Sequence, residues 1–442
     1  MDNQAIAKVQ FLQRQAASLL LYQSVLQAEV GKAFLDLLQA IRYTDADARG
    51  CLEAYGIYFK SLAALNQNWE EFLIAQILKD DNPFTRQAQQ QEFQNLPACL
   101  VAAAAHDLQA LQSLYECSSA SLSEWVQVVA RMPVSPVVWY QEIETQLNTT
   151  VETRYIASLQ EIENWADAVE DLAAHYRQCG TGLFAEYKAA RWLDGKFVGI
   201  RHADPVKLNE LVGYEYQREA LLKNTEFLLS GLRALSVLLY GSRGSGKSSL
   251  VKALLNEYSD RNLRLVEVAK SELKDLPEIV EYLRLAPQKF IIFVDDLSFE
   301  EDDDAFKALK VVLEGNVTAR PQNVIVYATS NRRHLVREFF ADRPAPRDHD
   351  EVHAWDTMQE KLSFSDRFGL TLTFEPADQN TYLQIVRHLA TIAEINISQE
   401  DLEHQAKEWA IRHNGRSGRT ARQFVDFLKA DLTLFNAQNQ KC

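Results

Sequence analysis

Residues Gly241, Ser242, Arg243, Gly244, Ser245, Gly246, Lys247 and Ser248 spell G-x-x-x-x-G-K-[ST], between the apolar run LSVLLY and the helical pattern SLVKALLNEY. That setting leaves the chain few folds. Glycines let the backbone turn its N–H groups onto phosphate oxygens, and a strand must feed the loop while a helix N-terminus leaves it. Lys247 is expected to neutralise the β and γ oxygens of a bound triphosphate, and Ser248 to offer its hydroxyl to Mg²⁺, with Ser249 carrying the loop into the helix.

Such a loop needs a second strand that brings a carboxylate to the metal. KFIIFVDD supplies it: an apolar run from Lys289 ends in Asp295, the expected metal ligand, and Asp296, which can polarise an attacking water as a general base. The acids that follow, Glu300 to Asp304, read as a helix start, where carboxylates suit the positive end of the dipole. NVIVYATSN adds another buried strand. Its Asn331 is placed to hydrogen-bond the water or the γ-phosphate, with Ser330 the lesser candidate.

The runs LSVLLY, LRLVEV, KFIIFV, NVIVYA and TLTF lack polar alternation, as strands buried on both faces do. Helical patterns lie between them, so the expected class is α/β with a parallel five-stranded sheet over residues 196–374. GKFVGIRHADPVKLNEL before them reads as a connector. Residues 375–442 return to helix, with a capping signal at Ser398 and Asp401 and a further helix opening near Ser417.

Residues 1–195 read as an all-α domain. Val9, Leu12, Ala16, Leu19, Leu26 and Val30 follow three- and four-residue steps. YFKSLAALNQNWEEFLIAQIL and IASLQEIENWADAVEDLAAHYR show similar patterns, with a break at Pro133 and Pro136 between them. This half holds 13 Lys/Arg against 24 Asp/Glu, net −11 of a total −15. Such a surface is poor for a nucleic-acid backbone and is expected to meet a protein partner instead. No apolar run reaches the ~18 residues of a membrane span. The N-terminus lacks a signal-peptide pattern, and the five cysteines are dispersed without C-x-x-C pairs, so a cytoplasmic setting is expected.

Strand, phosphate loop, helix, an Asp-Asp strand, a strand ending in Asn and a helical tail together resemble an AAA+ ATPase over about 208–428. GYEYQREALLKNTEFLLSG, FIIFVDDLSFEE, YATSNRRHL, KLSFSDRFGL and GRSGRTARQF resemble, more narrowly, a bacterial family of predicted ATPases known for a domain of unknown function. AAHYRQCGTGLFAEYKAARW resembles that family too, while the first 150 or so residues do not. The resemblance implies ATP and Mg²⁺ as ligands, a helical lid, and self-association into a ring or helical oligomer. It implies that Arg367 is an arginine finger reaching a neighbouring subunit's nucleotide. It also implies that Arg419 reads the nucleotide from the lid, with Arg416 and Arg422 competing for that role. Gly213 and Tyr214 fall at the adenine-side entry. A guanidinium suits phosphate oxygens as a permanent planar charge.

The chain departs from most AAA+ motors in having Asp-Asp rather than Asp-Glu, so slow turnover as a switch, or an initiator- or helicase-loader-like role with DNA, stands beside a partner-driving motor. AKSELKDLP after LRLVEV lacks an aromatic-glycine pore loop, which argues against an unfoldase. The D-x-x-G at Asp366 lies on the wrong side of the Asp-Asp strand for GTP, and no N-K-x-D follows. His349 and His353 sit in a proline-rich loop rather than on a helix face, and the arginines of SNRRHLVREFF suit a subunit interface better than nucleic acid.

Overall fold

The computed structural model describes residues 3–43, 47–139, 162–298, 304–314, 321–331, 367–413 and 415–439. The chain divides into two compact units, Met1–Glu186 and Tyr187–Cys442.

The first unit is helical among its described residues: α1 (Asn3–Ala17), α2 (Glu29–Arg42), α3 (Arg49–Leu65), α4 (Trp69–Lys79), α5 (Pro83–Ala88), α6 (Ala98–Tyr115), α7 (Ser119–Ala130) and α8 (Val169–Cys179). Its core includes Phe34, Trp69, Phe72, Leu111 and Tyr176, with the Trp69 ring stacked on Phe34 at 4.0 Å. The apolar stripe from Val9 to Val30 is not one helix. A 3₁₀ turn at Tyr22–Leu26 interrupts it, because the fully buried carboxylate of Asp107 accepts the backbone N–H groups of Leu20, Leu21 and Tyr22 at 2.6–3.0 Å. The next pattern is also split. Asn66, left-handed at φ +52°, ends α3, and Asn68 starts α4 through a capping box with Glu71.

Among its described residues the second unit holds a mixed sheet of seven strands rather than five parallel ones: β1 (Ala189–Leu193), β2 (Lys196–Ile200), β3 (Val237–Gly241), β4 (Leu263–Val268), β5 (Lys289–Val294), β6 (Val324–Ser330) and β7 (Leu370–Phe374). Their order is β2-β1-β4-β5-β6-β3-β7. The five strands read from the sequence are present and mutually parallel. The other two come from the stretch read as the end of the helical half and a connector. There Asp194 (φ +50°) and Gly195 (φ +75°) close a two-residue hairpin, and β1 then pairs in parallel with β4.

Helices α9 (Glu215–Leu229), α10 (Lys247–Tyr258), α11 (Leu276–Arg284) and α12 (Asp304–Glu314) connect the strands, and α13 (Gln379–Ile392), α14 (Gln399–Arg412) and α15 (Gly418–Asn439) follow β7. Strands β4, β5 and β6 are buried along nearly their whole length, which explains their largely apolar sequences. The last three helices bury a core of their own around Tyr382, Val386, Leu402, Ala406 and Phe424. Register then decides where the site falls. Val294 pairs with Ala328 and Tyr240 with Ser330, so Gly241, Asp295 and Asn331 emerge together at the carboxyl edge of adjacent strands.

Candidate functional site

At that edge lies a cleft of about 710 Å³. Its floor is the loop between β3 and α10, and the loop's shape depends on glycine at two places. Gly241, at φ +145°, lies so close to β7 that a Cβ would sit 1.9 Å from the Phe374 carbonyl oxygen. Gly246, at φ +92°, turns the chain into α10, and a Cβ there would meet nothing within 4 Å. Open space above a left-handed glycine at a helix N-terminus is the cradle that a phosphate group would occupy.

Lys247 is 6% exposed, and its ammonium group donates to the Gly241 and Ser242 carbonyls at 3.0 and 2.8 Å, to Ser245 Oγ at 3.5 Å and to Asn331 Oδ1 at 3.3 Å. None of these acceptors is a carboxylate. Burial pulls its pKa below the ordinary lysine value, against the opposing pull of Asp295 and Asp296, and the nearby Arg419 charge lowers it further. A buried ammonium held by neutral oxygens beside another cation is a site that an anion would relieve.

The metal candidates meet directly. Ser248 Oγ donates to Asp295 Oδ1 at 2.6 Å, so the two oxygen ligands a Mg²⁺ would need converge on one point at the loop. Thr329 Oγ1 donates to the same carboxylate oxygen at 2.5 Å and accepts from the Asp296 N–H at 3.0 Å. Asp296 stands at φ +51°, left-handed for a non-glycine residue, and its Oδ1 accepts from Asn331 Nδ2 at 2.6 Å. That backbone turns Asp296 off the line of β5 and toward the cleft.

Arg419 lies near the start of α15, where its N–H donates to the Gly244 carbonyl at 3.2 Å, and it lines the cleft with Arg243, Gly244, Ser245, Gly246, Lys247, Ser248 and Ser249. Arg416 instead donates to Gln379 Oε1 at 3.1 Å. Ser330 is turned away, with its hydroxyl donating to the Leu297 carbonyl. Arg367 is not at this cleft. Its guanidinium pairs with Glu314 at the end of α12. His349, His353, the acids at 300–303 and the arginines from 332 to 337 lie outside the described residues.

Sequence reasoning missed Thr329 and the depth of the connector's involvement. Thr329 lies on β6, two residues before Asn331, which directly follows the strand, so continued alternation brings both side chains toward one face. Val206, Leu211, Val212 and Tyr214 form an apolar end of the cleft with Ile385 and Leu389. Tyr214 is fixed there by its hydroxyl, which donates to the Glu375 carbonyl at 2.7 Å.

The family described as "Protein of unknown function (DUF815)" matches residues 185–432, which spans this entire unit up to the last turns of α15. The chain belongs to that family. In the DUF815 segment β6 separates the phosphate-loop strand from the Asp-Asp strand, and all three deliver residues to one cleft. Among solved structures, the Thermotoga maritima RuvB Holliday junction branch migration motor is similar at 17% identity and a TM-score of 0.37, covering 52% of this chain and 67% of that one. Two point mutants of the same motor match at TM-scores of 0.38 with 16% and 17% identity, covering 52% of this chain and 67% and 68% of theirs. No curated protein matches the chain in sequence. Among the described residues no helix is long and apolar enough to cross a membrane.

Proposed function

We propose that the chain is a Mg²⁺-dependent ATPase that hydrolyses ATP to ADP and phosphate and uses the cycle to change the state of a partner. The observation that carries this reading is the convergence of Ser248 Oγ and Asp295 Oδ1 at 2.6 Å beside the buried Lys247. Ser248 and Asp295 would hold a divalent cation there, which would neutralise negative charge as it develops in phosphoryl transfer. Lys247 and the loop N–H groups hold the polyphosphate, and Arg419 approaches it from the C-terminal helices, which act as a lid. Asp296 takes the proton from the attacking water, and Asn331 aligns Asp296 and the water. Arg367 supplies the remaining charge to a neighbouring protomer in a ring or helical oligomer, leaving Glu314 to do so. The acidic N-terminal part of the chain, net −11 over residues 1–195, offers a surface for a protein partner.

A slow switch is the second reading, and one contact favours it. The candidate base is an aspartate whose Oδ1 is already held by the Asn331 amide. Phosphate release from MgATP by the full chain, followed against protein concentration, tests both. Specific activity that climbs with concentration supports the oligomeric ATPase. A low rate independent of concentration, with tight nucleotide binding, supports the switch. Lys247→Ala is the control and should bind no nucleotide; binding at native strength by the folded variant would sink the assignment of the cleft.

A further inference from the structure

Residues 204–214, which begin within the stretch read from the sequence as a connector (195–211), are fastened to α10 and to the C-terminal helices. Asp204 pairs with Lys252 of α10 at 3.2 Å, and Asn256 Nδ2 donates to the Asp204 and Val206 carbonyls at 2.8 and 2.7 Å. At the other end His388 of α13 contacts the Asn209 carbonyl, and Glu210 Oε2 pairs with Arg422 of α15 at 2.5 Å. The segment therefore spans from the phosphate-loop helix to the C-terminal helices, and Glu210, Arg422 and Arg419 all line the cleft.

Arg422 follows Arg419 by three residues, so both share one face of α15. Arg419 lies close enough to Lys247 to depress its pKa, and Arg422 is one turn further along the same cleft wall. Glu210, with a side chain 18% exposed, is the cleft carboxylate paired with Arg422, whereas Asp295 and Asp296 stand beside the phosphate loop and Asp204 pairs with Lys252. Glu210 Oε1 also accepts from the Lys207 N–H at 3.1 Å, which fixes it toward Arg422. A carboxylate and a polyphosphate are rivals for the same guanidinium, whose planar fork suits either.

We propose that Glu210 and Arg422 form a latch between segment 204–214 and the C-terminal helices, and that the polyphosphate of a bound nucleotide competes with Glu210 for Arg422. The proposal rests on the reading of the cleft as a nucleotide site. It assigns Arg422 a phosphate contact that becomes available only when the latch opens. Reciprocally, opening the latch raises nucleotide affinity, because the two equilibria share one side chain. Occupancy of the cleft is thereby reported to the segment that ties α10 to the lid.

The test is a double-mutant cycle read by titration calorimetry of the full chain with MgADP and with Mg-ATPγS. Glu210→Gln should tighten binding about threefold to fivefold, the scale of a partly exposed ion pair. Arg422→Gln should weaken it, and adding Glu210→Gln to Arg422→Gln should then change nothing further. Should Arg422→Gln fail to fold, Arg422→Lys keeps the charge without the fork, and the same ordering is expected at smaller size. If Glu210 merely repels anions, Glu210→Gln tightens binding equally in both backgrounds, and the latch is overturned. Native affinity in folded Arg422→Gln overturns it too. A native chain that binds neither nucleotide would overturn the reading of the cleft itself, and the latch with it. Tight native binding with additive effects removes the latch alone.

Discussion

Asn331 donates from its amide nitrogen to Asp296 Oδ1 at 2.6 Å while its amide oxygen accepts from Lys247 Nζ at 3.3 Å. One side chain thus joins the group proposed to hold the γ-phosphate to the group proposed to activate water. On the proposed reading, a phosphate at Lys247 would compete for that ammonium, release the Asn331 amide and change how Asp296 is held. Asp296→Asn should bind MgATP within about threefold of the native chain and hydrolyse it on the order of 10² to 10³ times more slowly. Asn331→Ala should lose a similar factor, and the double variant little more, because residues acting as a unit are not additive. Single-turnover phosphate release measures all three. Native turnover by Asp296→Asn would move the base elsewhere.

Asp295 should behave differently from its neighbour. Its Oδ1 accepts from Ser248 and Thr329 at 2.6 and 2.5 Å, which leaves its second oxygen and the Ser248 hydroxyl oxygen available to a cation. Asp295→Asn should bind Mg²⁺-free ADP within about threefold of native but lose most of the strengthening that Mg²⁺ provides. Calorimetry with and without EDTA gives that difference. Equal Mg²⁺ enhancement in both proteins would remove Asp295 from the metal.

The phosphate loop, the Asp-Asp strand and the Asn strand were legible because each is local. The loop needs particular residues within eight positions, and each strand announces itself by an unbroken apolar run. Two further local signals were present and unread. Asp194-Gly195 between RWL and KFV is a strong hairpin signal, and Thr329 lies two places from Asn331. The rest was not legible at all. Asp107 ends α1 from 85 to 87 residues away, and Glu210 meets Arg422 across 212. Nothing in the neighbourhood of Asp107 or Glu210 marks it, because a buried carboxylate is explained only by the donors that tertiary structure brings to it.

The hairpin changes where the chain can be cut. Strand β1 fills the slot between β2 and β4, with Ala190 opposite Val266 on one side and Gly199 on the other. A fragment that begins at Lys196 would leave β2 without its partner and expose the edge of β4. Residues 187–442 should fold and bind nucleotide like the full chain, whereas 196–442 should aggregate or melt several degrees lower. Thermal melts and MgADP titration of the two compare them directly. Nucleotide binding lost from a folded 187–442 fragment would show that the first unit contributes to the site.

Acid should loosen the first unit through His175. Burial pushes its pKa down to about 4 from 6.5, so the folded state binds fewer protons than the unfolded chain between those values. Stability is therefore full above pH 6.5 and falls as pH drops toward about 4, by roughly 3 kcal/mol if His175 acts alone. Asp80 works the other way, since burial raises its carboxyl and favours the folded state as it protonates. His175→Gln removes the titration but keeps a donor. Hydrogen exchange of core amides in residues 1–186 should depend less steeply on pH in that variant. An unchanged slope would place the acid sensitivity in another group.

The oligomeric mechanism rests on Arg367. Within one chain its guanidinium is paired with Glu314 and is 17% exposed, away from the cleft that holds Lys247 and Arg419. It sits just before β7, and the proposed mechanism requires it to leave Glu314 for an adjacent protomer's nucleotide. An arginine supplied in trans can contribute ~10³ or more to phosphoryl transfer. Arg367→Ala should therefore bind MgATP nearly as well as the native chain and hydrolyse it at least ~10² more slowly, a modest share of that factor. Glu314→Gln should leave hydrolysis intact or raise it, because it weakens one of the contacts that hold Arg367 within its own chain. Mixing separates a trans role from a structural one. Arg367→Ala and Asp296→Asn are each nearly inactive alone, yet a mixed interface pairs an intact base on one subunit with an intact arginine from the other. Activity should return on mixing, in proportion to the mixed interfaces formed. If subunit exchange is demonstrated and no activity returns, Arg367 has a structural role within its own chain, and each chain's cleft works alone as a switch.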